Sequence, residues 1–444
     1  MKLEENRAPD PKEESMAGDR QEIMEIAMRA GHILLENGAE ISRVEETIDR
    51  ICRHYGIQSA NSFVLSNGIF STMGNQREEF FARVQHIPVS GAHLNRVAAV
   101  NQLSREIEEG KHTIADLERC LDDIENMPGK RNIVQIMASA VGSGAFCLFF
   151  GGDLLDSAAA FLSGMLLYVY ILYGGYRLSR LVEHILGGAL VTFLCMVFYH
   201  LGLGHNVSSM IIGSVIPMIP GVALHQRDPG SDGRGLYCRF GADDGYGAGG
   251  PGDRPGSGDD VHRLLPDHRR ESAMTELSAW FAFFPSFPTG ELFKQLLAAG
   301  VGTAAFSVLF YVPRKYYGFC AACGAWGWLT YFVLEWAGMT VTEATFFAAA
   351  AVVFLSRLFA VMERCPATLF MIPGIFPLVP GAGIYWTAYY IVTDQMELAS
   401  RTGFSAVKAA VAIVLGIIFV FEIPQSFFKR VLGKKRAGET ARNQ

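Results

Sequence analysis

The sequence predicts an α-helical polytopic membrane protein with an N-terminal soluble α+β domain and two inverted-topology helical bundles. Three observations carry that expectation. Half of the 444 residues are hydrophobic, 18% are charged, and the mean hydropathy is +0.22; the charged surface of a soluble chain this long dilutes its core below such values. The charge is uneven, with residues 1–131 rich in it and most of the remainder apolar. A Pro-x-x-Pro-Gly motif recurs in the fourth apolar stretch of each half. The expected organisation is a cytoplasmic α+β domain (1–131), then a first transmembrane bundle of four spans whose fifth is lost (132–224). A Gly/Asp/Arg-rich segment (225–273), a second bundle of five spans (274–429) and a basic cytoplasmic tail (430–444) follow.

In the head, residues 22–37 and 39–55 read as amphipathic helices. Ile23, Ile26, Ala27, Ala30, Leu34 and Leu35 recur near helical spacing in the first, and Gly38 stops it. Residues 57–73 and 80–87 have strand-like composition, while 94–109 and 113–125 are helical again. No HExxH, GxSxG or GxxxxGK[ST] pattern accompanies His32, His54, His86 and His93. The charged run from Gly38 to Glu45 reads as a solvated helix face with local ion pairs, with a hydrolytic or ligand site as its alternative.

Apolar stretches follow at 133–150, 155–173, 185–203 and 207–224, then at 297–312, 318–336, 341–362, 367–392 and 407–428. Most approach the roughly 20 residues that cross a bilayer. Each is helical because backbone groups facing lipid must be satisfied within the segment. Basic clusters set the orientation: Lys130 and Arg131, Arg177 and Arg180, Arg314 and Lys315, Arg364, and Lys429 to Arg436. With all of them cytoplasmic, both termini lie inside, the first bundle starts inside and the second starts outside. Opposite starts mark an inverted repeat. The expected place is a bacterial inner membrane, crossed many times, with the lipid bilayer as partner.

Pro217-Met218-Ile219-Pro220-Gly221 matches Pro377-Leu378-Val379-Pro380-Gly381, and Pro373-Gly374 lies just upstream of the latter. Proline removes a backbone donor and clashes with the preceding turn, so each run interrupts its helix. Interrupted helices at matching positions in two halves point to a transporter's substrate site; the alternative is a kink that neighbouring helices tolerate. The candidate substrate-binding residues are therefore Pro217, Pro220, Gly221, Pro373, Gly374, Pro377, Pro380 and Gly381. Cys320-Ala321-Ala322-Cys323 has metal or redox spacing without a second ligand pair, and it reads as packing. Glu183, Glu335 and Glu343 fall at span ends. No catalytic residue, metal or cofactor is expected. Eight scattered cysteines argue against a disulfide framework, and a net charge of −6 without a basic stripe argues against a nucleic-acid partner.

Taken together, these motifs resemble the threonine/serine exporter family. The residues concerned are Ala30-Gly31, Leu34, Gly38-Ala39-Glu40 and Arg43-Val44-Glu45 in the head, then Ile216-Pro217 and Pro220 to Leu224 in the first bundle. In the second they are Val312-Pro313-Arg314, Pro373-Gly374 and Pro377 to Gly381. The resemblance covers nearly the whole chain except residues 225–272. It implies a soluble N-terminal domain, ten membrane helices in two sets, and export of threonine and serine as small-molecule substrates. Some members exist as two subunits, a form linked to succinate export, so a homo-oligomer and a two-subunit assembly both stand. The competing class is a membrane-tethered hydrolase or regulatory protein acting through the head.

Residues 225–270 depart from the family pattern, which continues like Thr-Asn-Ala-Ile-Arg-Asp and then a fifth span. Read from the second base of each codon, His225-Gln226-Arg227-Asp228-Pro229-Gly230 allows that hexapeptide at every position. Shifted Gly codons allow Ala or Val, shifted Ala and Pro codons Leu, and shifted Asp codons Ile, Met or Thr, so 248–261 decodes as an apolar run. No codon choice over 225–273 creates a stop in that frame, whereas Met274-Thr275 must contain one. The expectation is an out-of-frame stretch joining two neighbouring genes, with a Gly-rich linker as the alternative.

Overall fold

The computed structural model describes residues 11–57, 61–73, 81–87, 91–174, 179–218, 289–428 and 430. The chain divides into a unit of Met1–Gln226 with Glu291–Gln444 and a second of Arg227–Gly290. Of the second unit only Thr289 and Gly290 are described, so the first is the subject below. The expected out-of-frame stretch, the basic tail after residue 430, Pro220 and Gly221 lie outside the described residues.

The N-terminal region holds α1 (Pro11–Glu36), α2 (Ile41–His54), strands β1 (Asn61–Leu65), β2 (Gly68–Met73) and β3 (Phe81–His86), then α3 (Leu94–Glu108) and α4 (Ile114–Glu125). Helix α1 begins eleven residues before the apolar periodicity that announced it, because residues 11–21 are mostly good helix formers behind a proline at the first position. The strand-like stretch 57–73 is a hairpin turning at Ser66-Asn67, and the sheet is antiparallel in the order β1-β2-β3. One face of the sheet meets the helices: Val64 and Ile69 join Met24, Leu34, Val44, Ile48, Val97 and Leu117 in a continuous core. Gly31 is needed there, since a Cβ would stand 2.6 Å from Ile48 Cδ1. Gly38, at φ +82°, turns the chain out of α1. Thr113 and Asp116 form a reciprocal cap on α4.

Arg29 joins α1 to α4, its Nε 2.9 Å from Glu125 Oε1 and its Nη2 2.5 Å from Asp122. The side chain is about one-third exposed. Arg29→Ala is therefore expected to lower stability by only about 0.5–1 kcal/mol, and a double-mutant cycle with Glu125→Gln measures the pair.

The rest of the described chain is helical: α5 (Asn132–Phe149), α6 (Leu154–Tyr173), α7 (Arg180–His200), α8 (Val207–Val215), α9 (Thr289–Leu309), α10 (Tyr317–Trp336), α11 (Val341–Glu363), α12 (Thr368–Ile375), α13 (Gly381–Val392) and α14 (Met396–Phe421). Among the described residues six of these are long and apolar enough to cross a membrane, and α12 with α13 counts as a seventh if the bent pair is one span. Helices α7, α9 and α14 start five to eleven residues before their expected apolar stretches, because polar first turns continue the same helix. Asp153 and Asp156 cap α6 reciprocally, and buried Asp156 also accepts from the amides of His205 (2.6 Å) and Asn206 (3.0 Å), tying the α5–α6 and α7–α8 loops together. Thr340 and Glu343 cap α11 in the same way, which accounts for Glu343 at a span end.

The two helical sets share a register. Gly142 and Gly302, Ser143 and Thr303, Phe146 and Phe306, Gly164 and Gly324, and Pro217 and Pro377 each stand 160 positions apart. Their contacts repeat as well. A Cβ on Gly164 would overlap the Ser143 hydroxyl, and one on Gly324 would overlap that of Thr303. Where α5 meets α9 the partners exchange: Gly142 faces Phe306 and Gly302 faces Phe146. The Phe146 and Phe306 rings lie 5.2 Å apart. Such an exchange is what a two-fold relation produces. The helices run antiparallel, since Lys130 before α5 reaches Val312 after α9.

Candidate functional site

Pro217 lies just past the end of one short helix, and Pro377 to Gly381 lie just past the end of another. Helix α8, capped by the Asn206 side chain on the Ser209 amide, ends at Val215, two residues before Pro217 removes a donor. Gly213 presses α8 onto α5, because a Cβ there would stand 2.6 Å from the Cys147 backbone nitrogen. Pro217 and Met218 are buried, and Met218 packs on Gly187.

In the second half the interruption is visible throughout. Pro373 lies inside α12 and cannot donate to the Leu369 carbonyl, which instead accepts from Cys320 Sγ at 3.3 Å. Gly374 lies against Cys323. Residues Phe376–Leu378 tighten into a 3-10 turn, Val379 is extended, and Pro380 (φ −75°, ψ 51°) forms an inverse γ-turn in which the Gly381 amide donates to the Val379 carbonyl at 2.7 Å. Helix α13 then leaves at 42° to the preceding axis. The stretch read from sequence as one span, 367–392, is thus two helices. Outside its own helix backbone, no described residue comes within 4 Å of the place a Cβ would occupy at Gly381, so among the described residues the break has room beside it.

Phe376 anchors this turn at the crossing of the halves, stacked on Phe306 at 4.6 Å and edge-on to Phe310 at 5.6 Å. Helix α13 also touches α8. The structure thus brings Pro373, Gly374, Pro377, Pro380 and Gly381 into one break and joins it to the helix that ends ahead of Pro217. Sequence reasoning missed two buried hydroxyls beside this crossing. Ser143 and Thr303 are each buried, with an oxygen that has no hydrogen-bond partner. The repeated Gly-[Ser/Thr]-x-Ala-Phe at 142–146 and 302–306 would have found both.

The head reaches the same region from one end. Lys130 donates to the Val312 carbonyl at 2.7 Å and to the Tyr317 hydroxyl, and Gln135 links the Lys130 carbonyl to Tyr168. Burial, helped by Arg314, brings the Lys130 ammonium down to about 8. The Leu94 amide donates to Phe310 O at 3.2 Å, and the His93 ring lies 4.2 Å from that of Tyr311, itself in the left-handed region at φ +57°. Glu40, expected on a solvated face, is instead pushed up by burial and feels Arg43 and Arg357. Glu45 accepts from the Val64 amide at 3.0 Å.

Burial, with Arg96 adding to it, holds the His93 imidazole at about 4. An unfolded imidazole titrates near 6.5. Between those values the unfolded chain binds a proton that the folded chain refuses, so stability falls as pH drops from about 6.5 to 4. The expected outcome is a melting temperature that declines over that window and declines less in His93→Phe.

A separate head cavity of about 380 Å³ lies between α1, β3 and α4, lined by Arg29, His32, Arg83, Gln85 and three glutamates. Among the described residues no Ser, Thr or Cys lines it, and Arg83 pairs with Glu25 at 2.7 Å and Arg29 with Glu125. Cys320 and Cys323 are buried free thiols within helix contacts.

Apolar helices of membrane-crossing length, in two sets with a common register around interrupted segments, define a multi-pass membrane protein. Residues 25–226 match the sequence model of a threonine/serine exporter family. Residues 295–423 match a second model, "Threonine/Serine exporter, ThrE". The "Threonine/serine exporter" of Corynebacterium glutamicum is 24% identical over 407 residues, covering 89% of this chain and 81% of its own. No solved structure matches. The chain belongs to the threonine/serine exporter family.

Proposed function

We propose that this protein is a secondary transporter that exports small polar metabolites, threonine and serine first among them, through the break between α12 and α13 and its partner after α8. The observation that carries this reading is the opened backbone from Pro377 to Gly381, held by Phe376 against Phe306 where the halves cross. Half-helix ends and unwound carbonyls are the groups that transporters use to hold polar substrates inside a membrane. The curated relative's name supplies the substrate class. The antiparallel exchange of α5 and α9 supports an inverted repeat, because a two-fold relating antiparallel spans lies in the membrane plane. The test is efflux from loaded proteoliposomes, with threonine, serine and succinate offered separately. Efflux of succinate alone moves the substrate to a dicarboxylate, and no efflux of any of them sinks the reading.

The same reading places the head and both termini in the cytoplasm of a bacterial inner membrane. Cysteine labels at Lys130, Arg314 and Lys434 are expected to be protected from a membrane-impermeant reagent added outside. Labelling at Lys434 from outside would overturn the orientation.

A further inference from the structure

Helices α13 and α14 of the second half have no counterpart among the described residues of the first. Carried through the 160-residue register, α13 corresponds to 221–232 and α14 to 236–261, where the sequence turns to Gly, Asp and Arg. Helix α14 lies on α11, and α11 corresponds to α7. The register on those helices is 161, since the buried pair Ser163 and Cys195 recurs as Cys323 and Ser356.

The cover of α14 on α11 is close. A Cβ at Gly416 would stand 3.0 Å from that of Ala349, Phe346 and Phe419 have rings 6.0 Å apart, and Arg357 donates to the carbonyls of Val420 and Ile423. The matching positions on α7 are Ile185, Gly188 and Met196. Ile185 is 61% exposed and Met196 53%, and among the described residues a Cβ at Gly188 would meet nothing within 4 Å, whereas Ala349 is fully buried. Lipid suits the two apolar side chains but gives no reason for glycine. On a lipid-facing surface glycine weakens a helix by roughly 1 kcal/mol; at a helix contact it admits a neighbouring backbone.

We propose that this face of α7 is the seat of a hydrophobic helix, the counterpart of α14, encoded by codons 236–261 read from their second base. The inference rests on the two-half exporter reading above. Every codon from 236 to 261 has a shifted reading that is apolar or hydroxyl-bearing: Gly gives Ala or Val, Asp gives Ile, Met or Thr, Pro and Ala give Leu, Val261 gives Phe. The resulting 26 residues match α14 in length and suffice to cross a bilayer. The composition of the written frame there, dense in Gly, Asp and Pro, is not that of a span, because glycine and proline disfavour helix and buried aspartate is costly. In the shifted frame the first chain ends inside Met274-Thr275 and Met274 starts a second, giving two subunits with five spans each.

The test has two arms, neither of which reads transport, so its failure is distinct from failure of the exporter reading. The first sequences the source DNA through codon 225. One extra base there supports the proposal, and a frame confirmed as written overturns it. The second compares the written chain with the two-chain form made by deleting that base. Ile185→Cys with a cysteine at codon 259, the match of Phe419, is treated with a short bifunctional thiol reagent. Phe346→Cys with Phe419→Cys is the positive control in both forms. Cross-linking of the Ile185→Cys pair in the two-chain form is expected; its absence while the control pair cross-links overturns the proposal.

Discussion

Gly381→Leu is expected to reduce efflux by about tenfold or more while leaving the protein folded. Outside its own helix backbone, no described residue comes within 4 Å of an added Cβ there, and its φ is not positive, so among the described residues neither packing nor backbone strain opposes a larger side chain. The isobutyl group instead fills the space onto which the Val379–Pro380–Gly381 turn opens. An interaction lost only along the transport path lowers the rate without lowering stability, and a factor of ten is about 1.4 kcal/mol in the barrier. Efflux from proteoliposomes, set beside the thermal midpoint of the same preparation, checks it. Full transport by a folded Gly381→Leu protein would return the motif to a kink. Pro380→Ala is expected to act in the same direction, because the restored amide can donate to the Phe376 carbonyl and continue the helix across the break.

Gly213→Ala should do the reverse, damaging stability first. Its Cβ would stand 2.6 Å from the Cys147 nitrogen and 2.8 Å from the Ser143 carbonyl oxygen. Backbone atoms cannot rotate away, so α8 must lift from α5. Overpacking of this kind costs about 1–3 kcal/mol. Gly188→Ala on α7 is the control. In the chain as written, where no described residue comes within 4 Å of a Cβ there, it should gain up to about 1 kcal/mol from helix propensity. Thermal midpoints of the two variants in one detergent decide the matter; equal midpoints would show that the α5–α8 contact is not as tight as described.

The two substitutions differ in how far sequence alone could foresee them. Proline chemistry is local, and Pro373, Pro377 and Pro380 announce an interrupted helix without any knowledge of neighbours. What the interruption does with its freed carbonyls is not local: Leu369 O is taken by Cys320 Sγ and Phe376 O by the Val379 amide. The Cys320 and Cys323 spacing, which hints at metal or redox chemistry, resolves into two helix contacts. The hairpin inside 57–73 is blurred in the sequence because Ser66-Asn67 is only two residues long, too short to break a strand-like composition. The start of the first helix is hidden because charged residues carry helix propensity but no periodicity. Glu40 reads as solvent-facing because nothing within the head predicts that Arg357, more than three hundred positions away, lies near it.

The sequence by itself determined the rough extent of most apolar helices, the charged head, the family, and the interruption between Pro373 and Gly381. Those properties follow from composition, local backbone chemistry and charge, which act within a few residues. Tertiary structure alone decided that the halves meet through an exchanged Gly142–Phe306 and Gly302–Phe146 pair, that Phe376 pins the second break at that crossing, and that α7 lacks the cover α11 enjoys. Close packing between helices distant in the chain depends on which small residues face one another, and helical periodicity does not say which partner a face will meet.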